Sequence, residues 1–422
     1  MGYRGAGVVV AGQDTGYDWE NPRIQPSYRG WDGTRANHNY HWHDAIREIN
    51  LLHNDTIIAP ENNPCGLDVD APCDDHNHGT HTMGTMVGQE EEGDQIGVAP
   101  EAQWIGCRNM ERGWGSPASY LECFDWFLAP TDLNGANPDP SLAPHVINNS
   151  WSCPAVEGCD SMNVVLLQQA TEALRAAGIF VVASAGNDGP SCNTISKPAA
   201  MFEAAFTVGA IGSNDTIGRF SSRGVVTSDG SFRLKPNIVA PGVGVRSIVR
   251  NGQYRTWNGT SMASPHVAGA VALLISANPQ LAGEVDSIQH ILETTAIPRT
   301  GPEDCEGSLG SEVPNAVYGY GSLNVLAAVE RALEVEIVDT EEVTAAQLTL
   351  YPNPIQDQLN VRWNFSSDQI QLSIRDTYGR LVSSQQLRHN PAQLDLSHLP
   401  AGVYFYEWIS MGTQGSGKLV VE

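Results

Sequence analysis

Short apolar runs alternate with longer segments of helical composition over most of the chain. The strand-like runs occupy residues 103–110, 145–150, 179–185, 205–210 and 237–240. The segments of helical length occupy residues 160–177, 263–277 and 322–333. Buried strands that alternate with helices predict an α/β fold, with a doubly wound and mostly parallel sheet covered by helices on both faces. One more apolar run, beginning at Gly7, predicts a buried strand that leads into Asp14.

The pattern changes near residue 334, where an acidic and β-branched stretch begins. Beyond it, alternating residues predict short strands at 358–363, 371–375 and 403–406, with a turn over 376–380. Strands at this spacing are typical of a small antiparallel β-sandwich. We therefore expect a large α/β domain over residues 1–333, a linker over 334–347 and an all-β sandwich domain over 348–422. Within the first domain, residues 17–76 read as loops around one helix near Trp42 to Leu52.

Composition narrows the class of partner. The 422 residues include 23 Lys and Arg against 48 Asp and Glu, a formal net charge of −25. The lysines are Lys197, Lys235 and Lys418. So acidic a chain lacks the basic patches that bind nucleic acid or an anionic membrane surface, and it suits a secreted protein. No apolar run approaches the ~20 residues that span a bilayer, so we expect no membrane span.

The eight cysteines form an even set whose spacing favours local disulfides. Close neighbours pair as Cys65 with Cys73, Cys107 with Cys123 and Cys153 with Cys159, which leaves Cys192 and Cys305. No C-x-x-C pair occurs, which weakens a zinc interpretation and favours an oxidising compartment. Eight free thiols are the alternative.

The segment around Ser261 carries the first candidate chemistry. Small residues lead into this serine, and an Ala/Val/Leu-rich stretch of helical length follows it directly. A serine at a helix N-terminus lies beside unpaired backbone N–H groups and the positive end of the helix dipole, which stabilise an anion. Pro265 fits the first turn or so of that helix. A merely capped helix is the alternative, because serine is a favoured N-cap.

Two other stretches supply the partners that a serine nucleophile needs. His78 lies in the sequence His78-Gly79-Thr80-His81, and Asp14 follows a buried strand. The order along the chain is therefore aspartate, histidine and serine. A histidine can serve as the base, and a carboxylate can orient that histidine.

These residues resemble the subtilisin-like serine peptidases. The resemblance covers residues 1 to 333, and its motifs are Asp14-Thr15-Gly16, His78-Gly79-Thr80-His81, Ala185-Gly186-Asn187 and Gly259-Thr260-Ser261-Met262-Ala263-Ser264-Pro265. It implies Ser261 as nucleophile, His78 as general base and then acid, Asp14 as orienting carboxylate and Asn187 as oxyanion donor. It also implies that two edges bind the substrate backbone as an added strand, formed by Gly113, Trp114 and Gly115 and by Ser150, Trp151 and Ser152.

The chain departs from the family pattern at three positions. Gln13 stands where an apolar residue is usual, and Thr82-Met83 replaces the usual Val-Ala. None of these changes removes a chemical group that the resemblance requires.

Metal binding is not required by this interpretation. Several histidines lie between residues 41 and 81, but no H-E-x-x-H motif occurs, so we expect no zinc site. The acidic group Asp68, Asp70, Asp74 and Asp75 could hold calcium, although solvated surface charge is the favoured interpretation. The loop at Gly93 is shorter than the calcium loop that many subtilisin-like peptidases carry there. Structural calcium is therefore compatible with the sequence but is not located by it, and no cofactor is expected.

The C-terminal region resembles a second family. The motifs Leu350-Tyr351-Pro352-Asn353-Pro354, Tyr378-Gly379, Leu399-Pro400-Ala401-Gly402-Val403-Tyr404 and Gly417-Lys418-Leu419-Val420 are similar to the C-terminal sorting domain of type IX secretion cargo. This resemblance implies the type IX secretion machinery as a partner. A carbohydrate-binding or structural sandwich is the alternative.

The sequence thus predicts a secreted or surface-attached serine endopeptidase acting on protein or peptide substrates. A catalytically inactive relative that binds peptides, and a transpeptidase, are the alternatives. No signal peptide is visible before the first strand. We therefore expect an N-terminally truncated product that lacks a signal and a folding-assisting pro-segment and that folds poorly when expressed alone.

Overall fold

The computed structural model describes residues 1–53, 63–89, 93–335, 348–363, 369–376, 380–410 and 413–421. It divides into two compact units, Met1–Glu336 and Ile337–Glu422. The domain bounds expected from the sequence stay a prediction, because residues 336–347 of the expected linker lie outside the described residues.

The first unit is built on one large sheet. The strands of this unit are β1 (Val9–Asp14), β2 (Trp42–Asp44), β3 (Gln103–Arg108), β4 (Met110–Glu111), β5 (Trp114–Gly115), β6 (Val146–Asn149), β7 (Phe180–Ser184), β8 (Phe206–Ile211), β9 (Ile238–Pro241), β10 (Val245–Val249) and β11 (Gln253–Trp257). Strands β4 and β5 form one short hairpin, and β10 and β11 form another. Seven of them form a wholly parallel sheet in the order β2-β3-β1-β6-β7-β8-β9. Strands β2 and β3 lie on one side of β1, and strands β6 to β9 follow on its other side. The direction in which strands are added along the chain therefore changes between β1 and β6.

The described residues of this unit contain six α-helices. They are α1 (His78–Val87), α2 (Pro117–Leu128), α3 (Ser161–Ala176), α4 (Thr260–Ala277), α5 (Val285–Thr295) and α6 (Val325–Glu334). Helices α2 and α3 pack together with Ala11, Ile147 and Ala183 on one face of the sheet. Helices α1 and α4 pack on each other and on the central strands. The predicted α/β fold with a parallel sheet is confirmed.

Local sequence explains where the surface helices begin. The Ser116 hydroxyl accepts the backbone N–H of Ser119 at 3.2 Å, and Pro117 occupies the first position of α2. The Asp160 carboxylate accepts the N–H groups of Met162 and Asn163 and so caps α3.

The predicted helix near Trp42 to Leu52 is wrong. Trp42–Asp44 is the edge strand β2, and no helix occurs over residues 45–52. The reason is tertiary, because the Asp44 carboxylate accepts two hydrogen bonds from the buried Arg108 side chain, both at 2.9 Å. Trp42 is 1% exposed and meets Tyr17 edge to face, with ring centroids 6.3 Å apart. These buried contacts outweigh the weak local preference for a helix.

The second unit is all β. Its strands are β12 (Leu348–Tyr351), β13 (Gln358–Trp363), β14 (Ile370–Asp376), β15 (Leu381–Leu387), β16 (Ala392–Asp395), β17 (Gly402–Ser410) and β18 (Thr413–Val421). They form two antiparallel sheets, β12-β13-β16 and β15-β14-β17-β18, which share one apolar core. The predicted antiparallel sandwich is confirmed. Residues 377–379 of the predicted turn lie outside the described residues.

All eight cysteines are paired as the sequence predicts, in the bridges Cys65–Cys73, Cys107–Cys123, Cys153–Cys159 and Cys192–Cys305. Cys107–Cys123 joins β3, the strand next to the edge of the sheet, to α2. Cys192–Cys305 closes a loop with a sequence separation of 113 residues.

Helix α4 is the one described helix long and apolar enough to cross a membrane by length and composition, with 18 residues. Of that stretch, 78% is buried inside the protein. Burial in the core therefore accounts for its apolar composition.

Candidate active site

Asp14 and His78 form a paired site at the carboxyl end of β1. Asp14 is the last residue of the strand and is 1% exposed. Its two carboxylate oxygens lie 2.8 and 2.9 Å from His78 Nδ1. The same carboxylate accepts the backbone N–H of Thr15 at 2.7 Å. The hydroxyl of Thr82, a departure from the family pattern, donates to the Gly79 carbonyl at 2.9 Å and lies 3.4 Å from this carboxylate.

The start of helix α1 holds His78 against this carboxylate. His78 is the first residue of the helix, and Asn77 before it has a left-handed backbone with φ 82°. Gly79 permits the close approach, because a Cβ there would lie 2.0 Å from the carbonyl oxygen of Gly16 and 3.2 Å from Asp14 Cβ. Gly79 also donates its N–H to the Thr15 hydroxyl at 3.0 Å. The glycine of the His-Gly motif is therefore required by the contact of α1 with β1.

A second buried carboxylate organises the same turn. Asp74 Oδ1 accepts the Thr15 hydroxyl at 2.8 Å and the backbone N–H groups of His76 and Asn77 at 2.9 and 2.8 Å. Its Oδ2 accepts the N–H and the hydroxyl of Thr80 at 3.0 and 2.6 Å. Asp74 therefore joins Thr15, which follows Asp14 at the end of β1, to the first turn of α1, which carries His78. Sequence reasoning missed this role.

The pKa of His78 is raised above its ordinary value of 6.5. Burial alone acts to lower this pKa, but the charge of Asp14, its hydrogen bond to Nδ1 and the charge of Asp74 outweigh burial. The imidazolium form is thus stabilised by two carboxylates. A base whose charged form is stabilised in this way is suited to accept a proton from a hydroxyl group.

Ser261 lies in the first turn of α4, two residues after the N-cap Gly259. The prediction that this serine sits at a helix N-terminus is confirmed. In this structure its hydroxyl donates to the backbone carbonyl of Ser150 at 3.2 Å rather than to His78. Hydrogen bonds between a nucleophile and its base commonly tighten only when substrate binds. Helices α1 and α4, which carry His78 and Ser261, pack directly on each other.

Pro265 lies one turn deeper in α4 than the sequence suggested, at the sixth helical residue. A proline has no N–H, so the carbonyl oxygen of Ser261, four residues earlier, loses its helical donor. The Ser150 hydroxyl replaces that donor at 2.9 Å and also contacts the Ser264 hydroxyl at 2.9 Å. Ser150 therefore supports the helix turn that carries Ser261.

Asn187 follows β7 and is exposed at the same edge of the sheet. Its side-chain oxygen accepts the backbone N–H of Thr260 at 2.9 Å and the Thr260 hydroxyl at 3.1 Å. Because a backbone N–H can only donate, the atom facing Thr260 must be the amide oxygen. The Nδ2 amino group of Asn187 is left without a protein partner among the described residues. Thr260 directly precedes Ser261, so its bonds to the Asn187 oxygen hold this amino group beside the serine with a hydrogen bond still to donate.

The two expected substrate edges differ in which backbone and side-chain groups are available to a substrate. Gly115 uses both of its backbone groups, donating to Glu157 at 3.3 Å and accepting from Asn50 at 3.0 Å. Within the hairpin Trp114 pairs with Glu111, which leaves Gly113 at the turn. A cleft of 320 Å³ lies beside this hairpin, and Trp114 and Glu157 are among its lining residues.

On the other edge, Ser150 and Trp151 point inward. Trp151 is 4% exposed and stacks on Tyr120, with ring centroids 3.9 Å apart. Only the backbone of Ser150 and Trp151 and the half-buried Ser152 can face a substrate there. The substrate-binding assignments for both edges stay predictions.

Trp257 is a residue at the site that the sequence analysis did not single out. It ends β11, and its ring is nearly parallel to those of His78 and His81, with centroids 6.4 and 4.7 Å away. The sequence signal was its position, since it directly precedes the Asn258-Gly259 that leads into α4. The indole forms an aromatic wall beside the His78 imidazole.

Two members of the acidic group are buried and already bonded within the protein. Asp74 and Asp75 are 1% and 6% exposed, so the interpretation of these two as solvated surface charge is wrong. Asp74 spends both oxygens on five hydrogen bonds, and Asp75 lies 3.6 Å from the buried Arg108. At the loop near Gly93, the Asp94 carboxylate is paired with Arg246 at 2.8 and 3.0 Å. Within the described residues, no group of three or more His, Cys, Asp or Glu side chains is arranged to hold a metal ion.

Comparison with known proteins assigns both units. A model of the subtilase family matches residues 5–321, and a model of the secretion system C-terminal sorting domain matches residues 349–422. Bacillopeptidase F of Bacillus subtilis (strain 168) is 39% identical over 340 residues, which cover 78% of this chain and 21% of that protein. Serine protease AprX of the same organism is 33% identical over 277 residues, or 60% of this chain and 58% of that protein. Subtilisin DY of Bacillus licheniformis is 33% identical over 260 residues, or 61% and 79%. The chain thus spans only part of the first two relatives.

Proposed function

This chain belongs to the subtilase family, and from that premise we propose that it is a secreted serine endopeptidase. It hydrolyses peptide bonds in protein or peptide substrates through an acyl-enzyme on Ser261. The observation that carries this proposal is the buried Asp14–His78 pair, with both carboxylate oxygens within 2.9 Å of Nδ1. That pair fixes which imidazole nitrogen is free to act as a base.

The reaction begins with proton transfer. Asp14 accepts the Nδ1–H of His78, so Nε2 carries the lone pair. Ser261 Oγ leaves its contact with the Ser150 carbonyl, gives its proton to Nε2 and attacks the carbonyl carbon of the scissile bond. The imidazolium that forms is stabilised by Asp14 and Asp74, the same charges that raise the pKa of His78.

The tetrahedral intermediate carries its negative charge on the former carbonyl oxygen. Asn187 Nδ2 donates to that oxygen, and the backbone N–H of Ser261, which has no partner within its own helix turn, is the second donor. His78 then protonates the leaving amine and the C–N bond breaks. Water, deprotonated by His78, attacks the acyl-enzyme and releases the acid product. No step of this sequence requires a cofactor.

The sorting-domain match supports export. Residues 349–422 match a secretion system C-terminal sorting domain, so we infer that the type IX secretion machinery is a partner and that the enzyme works outside the cell or on its surface. Four disulfides in one chain agree with an oxidising compartment.

A fluorophosphonate probe tests the chemistry, because it reacts only with an activated serine. We expect labelling of Ser261 in the wild type and none in Ser261→Ala or His78→Ala. Masses of products from a peptide mixture then separate hydrolysis from transpeptidation, since ligation adds an amine where hydrolysis adds water. A correctly folded wild type that is not labelled would instead support a peptide-binding, inactive relative.

Turnover should show that Ser261 and His78 act as a unit. Ser261→Ala and His78→Ala should each lower kcat by roughly six orders of magnitude, and the double variant should cost little more, the behaviour recorded for subtilisin itself. Steady-state kinetics on a chromogenic peptide checks this. Additive losses in the double variant would contradict a shared mechanism.

A further inference from the structure

Gln13 is a fully buried amide beside the proposed catalytic carboxylate. It precedes Asp14 on β1 and is 0% exposed. A buried amide without partners would be costly, so its neighbours are informative. An amide lies on either side of it, each also 0% exposed: Asn149, its register partner at the end of β6, and Asn109, two residues beyond its register partner Cys107 on β3.

The three side chains form one hydrogen-bonded row, which we call the amide ladder (Gln13, Asn109 and Asn149). Asn109 Nδ2 donates to Gln13 Oε1 at 2.8 Å, and Gln13 Nε2 donates to Asn149 Oδ1 at 2.7 Å. Asn149 Nδ2 ends the row by donating to the backbone carbonyl of Val182 on β7 at 2.9 Å. The row therefore runs across four adjacent strands.

The direction of every amide in the ladder follows from its last acceptor. A backbone carbonyl can only accept, so the group of Asn149 that faces Val182 must be its amino group. The oxygen of Asn149 then faces Gln13, which requires the amino group of Gln13 on that side and its oxygen on the other. Asn109 must accordingly present its amino group. The ladder thus has one polarity and cannot invert locally.

The amide ladder connects the two halves of the proposed site. Gln13 and Asn149 are register partners on β1 and β6. The next residue on β1 is Asp14, whose carbonyl accepts the Asn109 N–H at 3.0 Å. The residue that follows the end of β6 is Ser150, which contacts Ser261 through both its hydroxyl and its carbonyl.

The ladder also lies behind the sheet and not in the site. Side chains alternate between the faces of a strand, and Gln13 shares its face with Ala11, which packs with α2 and α3. Asp14 faces the other way, toward α1. The amides therefore touch no reacting atom, and any effect on the reaction must act through the strand ends.

We propose that the amide ladder is a positioning device that sets the spacing between the Asp14–His78 pair and the Ser150–Ser261 pair. The main-chain pairing of β1 with β6 ends at Gln13 and Asn149, so the side-chain row adds lateral bonding between these strands at the last residues before the site. Small displacements of reacting groups lower rates strongly, by roughly a hundredfold for about 1 Å. Gln13, Asn109 and Asn149 are positioning residues for the reaction proposed above, on which this inference rests.

The test is Gln13→Leu, which restores an apolar residue of similar volume. Active sites are first counted by fluorophosphonate titration, so that misfolded protein does not enter the rate. We expect kcat per titrated site to fall by roughly tenfold to a hundredfold, with KM changed by less than about twofold. Thr171→Val is the matched control, because it deletes a buried hydroxyl that bonds only within α3. It should lower the thermal midpoint and leave kcat per site unchanged.

The triple variant Gln13→Leu/Asn109→Leu/Asn149→Leu tests whether the ladder positions the site or only pairs buried amides with one another. It also remains informative if the single variant does not fold. Replacing all partners by apolar groups leaves no orphaned amide, so the thermal midpoint should recover relative to Gln13→Leu. If the ladder sets the spacing, kcat per titrated site stays low in the triple variant. Recovery of kcat together with stability, or a Gln13→Leu value within about twofold of wild type, would overturn the proposal. A wild type that does not react with the probe would instead refute the proposed function.

Discussion

Asn187 has one chemical group left to use. Its oxygen is occupied by the N–H and hydroxyl of Thr260, and its amino group has no partner among the described residues. Asn187→Ala should therefore lower kcat by roughly a hundredfold to a thousandfold with little change in KM, the size of effect known for this donor in subtilisin. Asn214→Ala, in an exposed loop, is the control for asparagine loss and should be neutral. A loss below about fivefold for Asn187→Ala would mean that the oxyanion donor lies elsewhere.

Asp74 should be visible in the pH profile. Neutral His78 is the active base, so kcat/KM falls as pH drops through the pKa of His78, which lies above its ordinary value of 6.5. Burial opposes this raised pKa, while Asp14 and then Asp74 support it. Asp74→Asn removes one supporting charge, so the acid limb of kcat/KM should move to lower pH.

The Asp74→Asn variant also loses the acceptor for Thr80, so kcat should fall at every pH. Asp286→Asn on α5, whose side chain is 92% exposed, controls for the loss of a carboxylate and should leave the limb in place. An acid limb that stays fixed or moves to higher pH in Asp74→Asn would show that the charge of Asp74 does not reach His78.

At the scale of elements, the starts of two helices and the ends of two strands build the site. Helix α1 is fixed to β1 by Asp74 and Thr15, and α4 is fixed to β6 by Ser150. Local capping does not explain where either helix begins. The N-cap Asn77 has a left-handed backbone, and the N-cap Gly259 has no side chain that could accept a hydrogen bond. Tertiary hydrogen bonds take the place of local caps.

The disulfides should differ in how much they stabilise the first unit. Cys192–Cys305 has a sequence separation of 113 residues, and Cys153–Cys159 one of 6. In the chain-entropy account, the longer loop should stabilise the fold by about 2.5 kcal/mol more than the shorter one. Replacing each pair by serine and comparing thermal midpoints tests this, and we expect the larger drop for Cys192→Ser/Cys305→Ser. Equal drops would indicate that native-state contacts, and not loop closure, dominate.

At the scale of the whole molecule, two units carry separate tasks in our proposal. If residues 340–422 serve as an export address, their deletion should abolish surface export and leave kcat of correctly folded enzyme unchanged. Export is measured in a host with a type IX system, and kcat per titrated site on a small peptide. A lost activity with normal folding and export would make the second unit a substrate-binding module instead.

The sequence alone determined the architecture of this protein, because hydrophobic periodicity and motif spacing are local properties. Alternating buried strands and helices predicted the parallel sheet, and short alternating strands predicted the sandwich. The motifs around Asp14, His78, Asn187 and Ser261 could be predicted to meet, since strand ends and helix starts converge at one edge of a parallel sheet.

Only the tertiary structure decided which polar residues are buried and what they bind. Asp74 looked like surface charge, and Gln13 looked like a harmless departure, because the contacts with Thr15 and with Asn109 and Asn149 that bury them come from distant parts of the sequence. The sequence of Trp42 to Leu52 predicts a helix, but the Asp44 carboxylate within it binds the buried Arg108 side chain, and no helix forms. The physical reason is common to all three: the energy of a buried polar group depends on donors and acceptors brought from 59 or more residues away, and a linear pattern does not contain those distances.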